Sequence, residues 1–203
     1  MISDKDYTNL NHLYIRLPEL SDVERLKAYA KDYYEHGRMS AEVYENWLNR
    51  DYNEYFKSRE DAIKGKLSGE MAGVSWYTYY LIENDNIVGY GSLRLNPENN
   101  SELNIYGGHI GYGIIPSKRK QGYGTMFLHL LTKKAQEFGL KEIMVTCVEQ
   151  NLGSAGIIEN NFGVFKDMVF YSKENHNMKR YILDVDDSIE KFERMYLSKS
   201  KTK

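Results

Sequence analysis

The sequence predicts a mixed α+β domain built on one mainly antiparallel sheet with helices on its faces. Three observations carry this. First, β-branched and aromatic runs come as neighbours: "VSWYTYYLIE" and "NIVGYGSLRL" flank Asn84-Asp85, and "FGVFKDMVFYS" and "MKRYILDV" flank "KENHN", the pattern of hairpins. Second, "TMFLHLLTKKAQEFG" interrupts the strands with apolar residues at helical spacing. Third, 203 residues, 41% of them hydrophobic, run without a Pro/Gly/Ser-rich linker or an internal repeat, which suits one core.

Taken in order, "HLYIRL" (12–17) alternates like a strand and stops at Pro18. Ser21-x-x-Glu24 has the form of a capping box and predicts a helix to about Tyr34. From Ala41 to about Lys64 one helical region is expected, carrying Val43, Trp47, Tyr55 and Phe56 among many charges. The first hairpin follows, then "GGHIGYGIIP" as a strand closed by Pro116. Phe127, Leu131, Ala135 and Phe138 define the next helix, with Gly139 placed to cap it. "EIMVTCV" is a strand, "LGSAGIIENN" a short helix, and the second hairpin precedes a closing helix in "DDSIEKFERMYL" started by Asp187 or Ser188. The whole of 1–203 reads as one domain with a core over about 12–196 and a frayed basic tail over 197–203.

Composition excludes several classes of function. No window approaches the apolar run of a membrane span, and "MISDKDYTNL" is too polar for a signal peptide, so no membrane partner is expected. The single cysteine, Cys147, cannot form an internal disulfide and fits a reducing, cytoplasmic setting. Asn99-Asn100-Ser101 is then a chance match to a glycosylation sequon. A net charge of -2 gives no reason to expect nucleic acid.

The segment with chemistry in it is "SKRKQGYGT" (117–125), where Lys118, Arg119 and Lys120 crowd against Gly122-x-Gly124 just before a helix. A helix's first turn has N–H groups with no intrahelical acceptor and a partial positive charge, and a glycine-rich entry lets an anion reach them. Phosphate is the natural occupant; a tight turn with a solvated basic rim is the alternative. The chain has no G-x-x-x-x-G-K-[ST], and the dinucleotide pattern lacks its third glycine because Phe127 stands there, which argues against a mononucleotide or NAD.

Arg119-x-x-Gly122-x-Gly124, preceded by a strand ending at Pro116 and followed by an amphipathic helix, resembles the [QR]-x-x-G-x-[GA] signature of the GNAT N-acetyltransferase superfamily. "GGHIGYGIIPSKRKQGYGT" with "VTCVEQNLGSAGIIENN" is most similar to a bacterial subgroup of predicted acetyltransferases, and the resemblance is best defined from about Ile87 to Val185. It implies a splayed central sheet and acetyl-CoA as cofactor. It also implies pyrophosphate on the amides of Gln121, Gly122, Tyr123, Gly124 and Thr125 beside Arg119 and Lys120, with pantetheine along the strand edge at Ile114 and Ile115. Asn151 falls where members commonly contact the cofactor, with Ser154 one turn later; Asn151 could equally be a helix N-cap. Gly111 and Gly113 suit a strand that another chain of atoms approaches.

The implied reaction is direct attack of a primary amine of a small molecule, amino acid or peptide on the thioester, both substrates bound together. The oxyanion donor expected by analogy is a backbone N–H near Ile114 or Ile115, with Ile115 favoured. His109 stands near where some members carry a base, and a structural histidine bonded to backbone is the competing reading; Glu102 and Glu149 are substitutes. The tyrosine that many members use as acid is missing, because seven positions after Asn151 comes Ile158, leaving Tyr112, Tyr123, Tyr171 or water. Cys147 reads as a small buried hydrophobe rather than a nucleophile. The aromatic early helices (Tyr33, Tyr34, Tyr44, Trp47, Tyr52, Tyr55, Phe56) could wall an acceptor pocket or simply pack on the sheet. A non-catalytic acyl-CoA sensor is the alternative function, and exposed strands could pair two copies in a homodimer.

Overall fold

The computed structural model describes residues 7–68 and 71–197. Its elements are β1 (Tyr14–Arg16), α1 (Val23–Glu35), α2 (Ala41–Leu48), α3 (Tyr52–Ile63), β2 (Trp76–Glu83), β3 (Asn86–Arg94), β4 (Ile110–Ile114), α4 (Tyr123–Glu137), β5 (Glu142–Val148), α5 (Leu152–Asn160), β6 (Val164–Tyr171), β7 (His176–Asp184) and α6 (Val185–Phe192). The strands form one seven-stranded sheet in the order β1-β2-β3-β4-β5-β7-β6. Every pairing is antiparallel except that of β4 with β5. The expected frayed tail lies outside the described residues from 198 on.

Local chemistry explains the boundaries, including those that differ from expectation. Asn84 and Asp85 both adopt positive φ, as the two-residue turn between β2 and β3 requires. The capping box before α1 is formed by Glu19 and Asp22 rather than Ser21 and Glu24, because Asp22 is buried and its carboxylate takes the Glu19 amide at 2.9 Å. The expected helix over 41–64 is two: Asp51 leaves the helical region and caps a new start by accepting the Glu54 amide, while Ser40 caps α2. The last helix is likewise capped by Asp184, which accepts from the Asp187 amide, rather than by Asp187 or Ser188.

The core has two layers, one on each face of the sheet. On one face α4 inserts Phe127, Leu128, Leu131 and Ala135, all fully buried; each large side chain there stabilises by about 1.5–3 kcal/mol. On the other, α1 and α3 bury Leu26, Tyr29, Tyr55 and Phe56 against β3 and β2 respectively, and the Tyr55 and Tyr80 hydroxyls meet at 3.0 Å. The sheet is therefore covered on both sides at its centre. Between β4 and β5 it is open: only Ile110 pairs with Val145, beyond which the two strands diverge.

Candidate functional site

That divergence makes a cleft of about 670 Å³. One side is β4, through Tyr112, Gly113 and Ile114; the floor is Arg119, Lys120, Gln121, Gly122, Gly124 and Thr125; the far wall is Asn151, Gly153, Ser154, Ile157 and Asn160 of the α5 segment. Tyr7 closes one end. The cleft thus gathers nine of the residues expected to hold the cofactor. Of the others, Ile115 and Tyr123 turn their side chains into the core, and His109 lies outside the lining.

The loop on the floor leaves backbone donors without intrahelical partners. Lys120 and Gly122 both take positive φ, and the first α4 bond runs from the Met126 amide to the Gly122 carbonyl, so the Tyr123, Gly124 and Thr125 amides precede the helical ladder. No side chain caps them. Gly122 is required there twice over, by its φ of 89° and because a Cβ would lie 2.7 Å from the Tyr7 ring. These uncapped amides and the missing Cβ fit a pyrophosphate group.

The three cations beside them divide the work. Lys118 turns inward to the buried Glu83 at 2.5 Å, and Glu83 also accepts from Tyr123 Oη at 2.5 Å and bonds His12 Nε2 at 3.1 Å. Burial pushes the Glu83 carboxyl up, but these partners outweigh it and hold it at about 2. The carboxylate therefore clamps both ends of the loop, a role its place at a strand end did not signal. Arg119 donates through Nε to the Ile114 carbonyl at 3.0 Å and lies over the Tyr33 ring at 5.4 Å. Lys120 alone faces the cleft as a cation without another described partner.

Strand parity decides which amide faces the opening. The Ile115 amide donates to the Val88 carbonyl at 3.0 Å, so the expected donor is already used. Bonding alternates along an antiparallel ladder, which turns the Ile114 and Tyr112 amides away from β3. The Ile114 carbonyl on that same edge accepts from Tyr33 Oη at 3.1 Å as well as from Arg119. The open donor is thus that of Ile114.

His109 sits at the closed end of the divergence. Its amide donates to the Met144 carbonyl at 2.8 Å and its Nδ1 accepts the Met144 amide at 3.0 Å, so the ring completes the β4–β5 junction and burial lowers its basicity. Glu102 pairs with Lys173 and Glu149 accepts from Asn177 at 3.0 Å; neither lines the cleft. Asn151 is the N-cap of α5, accepting the Ser154 amide through Oδ1 at 3.0 Å, which leaves its Nδ2 for a ligand. Ile158 is fully buried. Among the tyrosines, Tyr123 is bound to Glu83 and Tyr171 to Glu102, whereas the Tyr112 hydroxyl is buried in the cleft beside Ser154 with no hydrogen bond. Burial pushes the Tyr112 phenol well up. Burial likewise raises the Cys147 thiol, which makes it a poor nucleophile.

A second pocket, of about 300 Å³, lies on the opposite face of the sheet among α1, α2, α3 and β3. Tyr29, Tyr33, Trp47, Tyr55 and Tyr90 line it with Met39, Arg50 and Arg59. Tyr52 and Phe56 pack into the core, and Tyr34 and Tyr44 stack on each other at 4.6 Å away from it. The two cavities lie on opposite faces of the sheet and approach each other at β4: Tyr90 of one pairs with Gly113 of the other, and a Cβ on Gly113 would lie 3.3 Å from Tyr33 Oη. The missing side chain lets the Tyr33 hydroxyl reach across the strand to the Ile114 carbonyl.

Comparison with known proteins agrees with this geometry. A family model described as "Acetyltransferase (GNAT) domain" matches residues 12–161. No curated protein matches the chain. Among solved structures, the RimL ribosomal L7/L12 alpha-N-protein acetyltransferase in complex with coenzyme A superposes with a TM-score of 0.61 at 16% identity, covering 87% of this chain and 96% of that one. The Microcin C7 self immunity acetyltransferase MccE, in complex with acetyl-CoA and AMP, gives 0.60 at 12% identity over 86% of this chain and 93% of that one. A spermidine N-acetyltransferase SpeG chimera from Vibrio cholerae and hSSAT gives 0.59 at 12% identity, over 89% and 99%. At such identities the solved structures establish the fold, and the family model, spanning most of the sequence, establishes membership: the chain belongs to the GNAT acetyltransferase family.

Proposed function

We propose that the protein transfers an acetyl group from acetyl-CoA to a primary amine of a small molecule, amino acid or peptide N-terminus, in a ternary complex. The observation that carries this reading is a cavity on each face of the sheet near Gly113 and Ile114, one floored by orphan helix amides and the other large enough for a small molecule. A sensor would need only the first. The acceptors named for structural neighbours, a ribosomal protein α-amine and spermidine, show how widely the amine varies on this fold.

Acetyl-CoA, when bound, supplies an activated acyl group as a thioester. The amides of Tyr123, Gly124 and Thr125, with Lys120, hold its pyrophosphate, and Asn151 Nδ2 and the β4 edge hold the arm that follows. The Ile114 amide donates to the negative charge that develops on the thioester oxygen as the amine nitrogen bonds to the carbonyl carbon. Tyr33 and Arg119 fix that peptide unit by bonding its neighbouring carbonyl. As the carbon–sulfur bond breaks, Tyr112 delivers its phenolic proton to the departing sulfur, and the second proton lost by the acylated nitrogen returns through water to the phenolate; burial keeps the phenol protonated at neutral pH.

The acceptor ammonium must lose a proton first. Among the described residues no carboxylate or histidine lines the second pocket, so water takes the proton, and Arg50 and Arg59 favour its loss by disfavouring a third cation nearby. His109 has its Nδ1 committed to Met144 and is assigned to holding the strands. Among the described residues no helix is long and apolar enough to cross a membrane. We place the enzyme in the cytoplasm, where acetyl-CoA is available and a lone buried thiol stays reduced. Release of CoA thiol from acetyl-CoA over a panel of amines tests the activity: amine-dependent release supports it, and release independent of every amine contradicts it.

A further inference from the structure

The second pocket carries more positive charge than amine binding calls for. Arg50 lies over Trp47 at 4.5 Å and over Tyr55 at 5.2 Å, and Arg59 lies over Tyr55 at 4.7 Å. Ring faces that would otherwise hold a ligand ammonium are thus already covered by guanidinium groups. Elsewhere in the chain Arg16, Arg25 and Arg180 each hold an aspartate. No carboxylate among the described residues pairs with Arg50 or Arg59, and the Arg59 Nε is buried with no acceptor. Two uncompensated guanidiniums and an orphan charged donor in a half-enclosed cavity are a cost that folding does not explain. An anion entering the pocket would relieve all of it.

We infer that the acceptor amine is carried on a small anionic molecule, whose carboxylate or phosphate oxygens are bound by Arg50 and Arg59 while its amine points toward Tyr33 and β4. This inference rests on the acetyltransferase reading for the amine but not for the anion. The anion sits at the arginines, the hydrocarbon or ring between the groups lies on Tyr29, Trp47 and Tyr90, and the nitrogen lies toward Tyr33 and β4. Polycationic amines are disfavoured by repulsion from the same two residues. The arginines thereby select the acceptor.

The test uses matched pairs that differ in the anion: phenylalanine with phenethylamine, phosphoethanolamine with ethanolamine, and spermidine as a polycation. CoA release is followed for the wild type, Arg50→Gln, Arg59→Gln and Arg59→Lys, and thermal stabilisation by each compound is measured alongside in the presence of CoA. The expected result is turnover of the anionic member of a pair, with KM raised about tenfold or more in each Gln variant and kcat largely kept. Arg59→Lys recovers part of the loss, and the better of the carboxylate and phosphate arms identifies the group. Equal or better use of the neutral member, or preference for spermidine, overturns the inference while leaving the acetyltransferase reading intact. Stabilisation by the anionic compounds that is lost in Arg59→Gln, without turnover of any amine, supports the anion site and overturns acetyl transfer. Neither turnover nor arginine-dependent stabilisation overturns both.

Discussion

Replacing Tyr112 by Phe removes one oxygen whose only described surroundings are the cleft and Ser154. Because the hydroxyl is buried without a hydrogen bond, its loss frees the fold of an unsatisfied group, and stability should be unchanged or rise by up to about 1 kcal/mol. The ring, which fills the wall between β4 and α5, stays. If the phenol protonates the leaving sulfur, kcat should fall by about 100-fold, near the low end for a general acid because a thiolate leaves readily. That fall corresponds to about 2.7 kcal/mol of transition-state stabilisation. KM for both substrates should hardly move. The assay is steady-state CoA release with a denaturation curve on the same preparation. A variant as stable as wild type whose kcat is within about twofold of it would refute the role of Tyr112.

Two further outcomes follow from named contacts. Gly113→Val puts a branched side chain against Tyr33 Oη and displaces it from the Ile114 carbonyl, so kcat/KM for the amine should drop by more than about tenfold while CoA still binds by calorimetry; unchanged turnover would show that this contact does not serve the reaction. His129 is buried and stacked on Phe192 at 4.1 Å; burial, helped by Lys133 and opposed by Glu193, holds its pKa at about 4. An unfolded histidine binds a proton near pH 6.5, so the unfolded state gains protons first: stability is full above that pH and falls as pH drops toward about 4, by up to roughly 3 kcal/mol. Urea denaturation across that range should show the slope in wild type and a flatter one in His129→Gln; identical slopes would contradict it.

Much of this site could be read from the sequence because its parts are contiguous. The Gly122-x-Gly124 entry to α4 and the Asn151 cap of α5 are local features, and both face the cleft. The misplacements are of three physical kinds. Choosing Ile115 over Ile114 needed the register of β3 on β4, which a one-residue shift inverts. Reading 41–64 as one helix missed that Asp51, a helix-compatible residue, could stop one turn of structure and cap the next. Nothing in the sequence sets Arg50 and Arg59 apart from the other charges of 41–64; only the packing of α2 and α3 around Tyr90 shows them turned on aromatic rings. Glu83 and Lys118 are far apart in sequence, and nothing local announced their pairing.

The central claim is that the loop at 119–125 holds the pyrophosphate of coenzyme A. Thermal unfolding of the purified protein with acetyl-CoA, CoA, ATP and NAD in parallel tests it most directly, since a ligand that binds the folded state alone raises its stability by mass action. Selective stabilisation by acetyl-CoA and CoA is the predicted result. No shift, or a shift favouring ATP or NAD, would contradict the account at the loop from which the rest of the site is built.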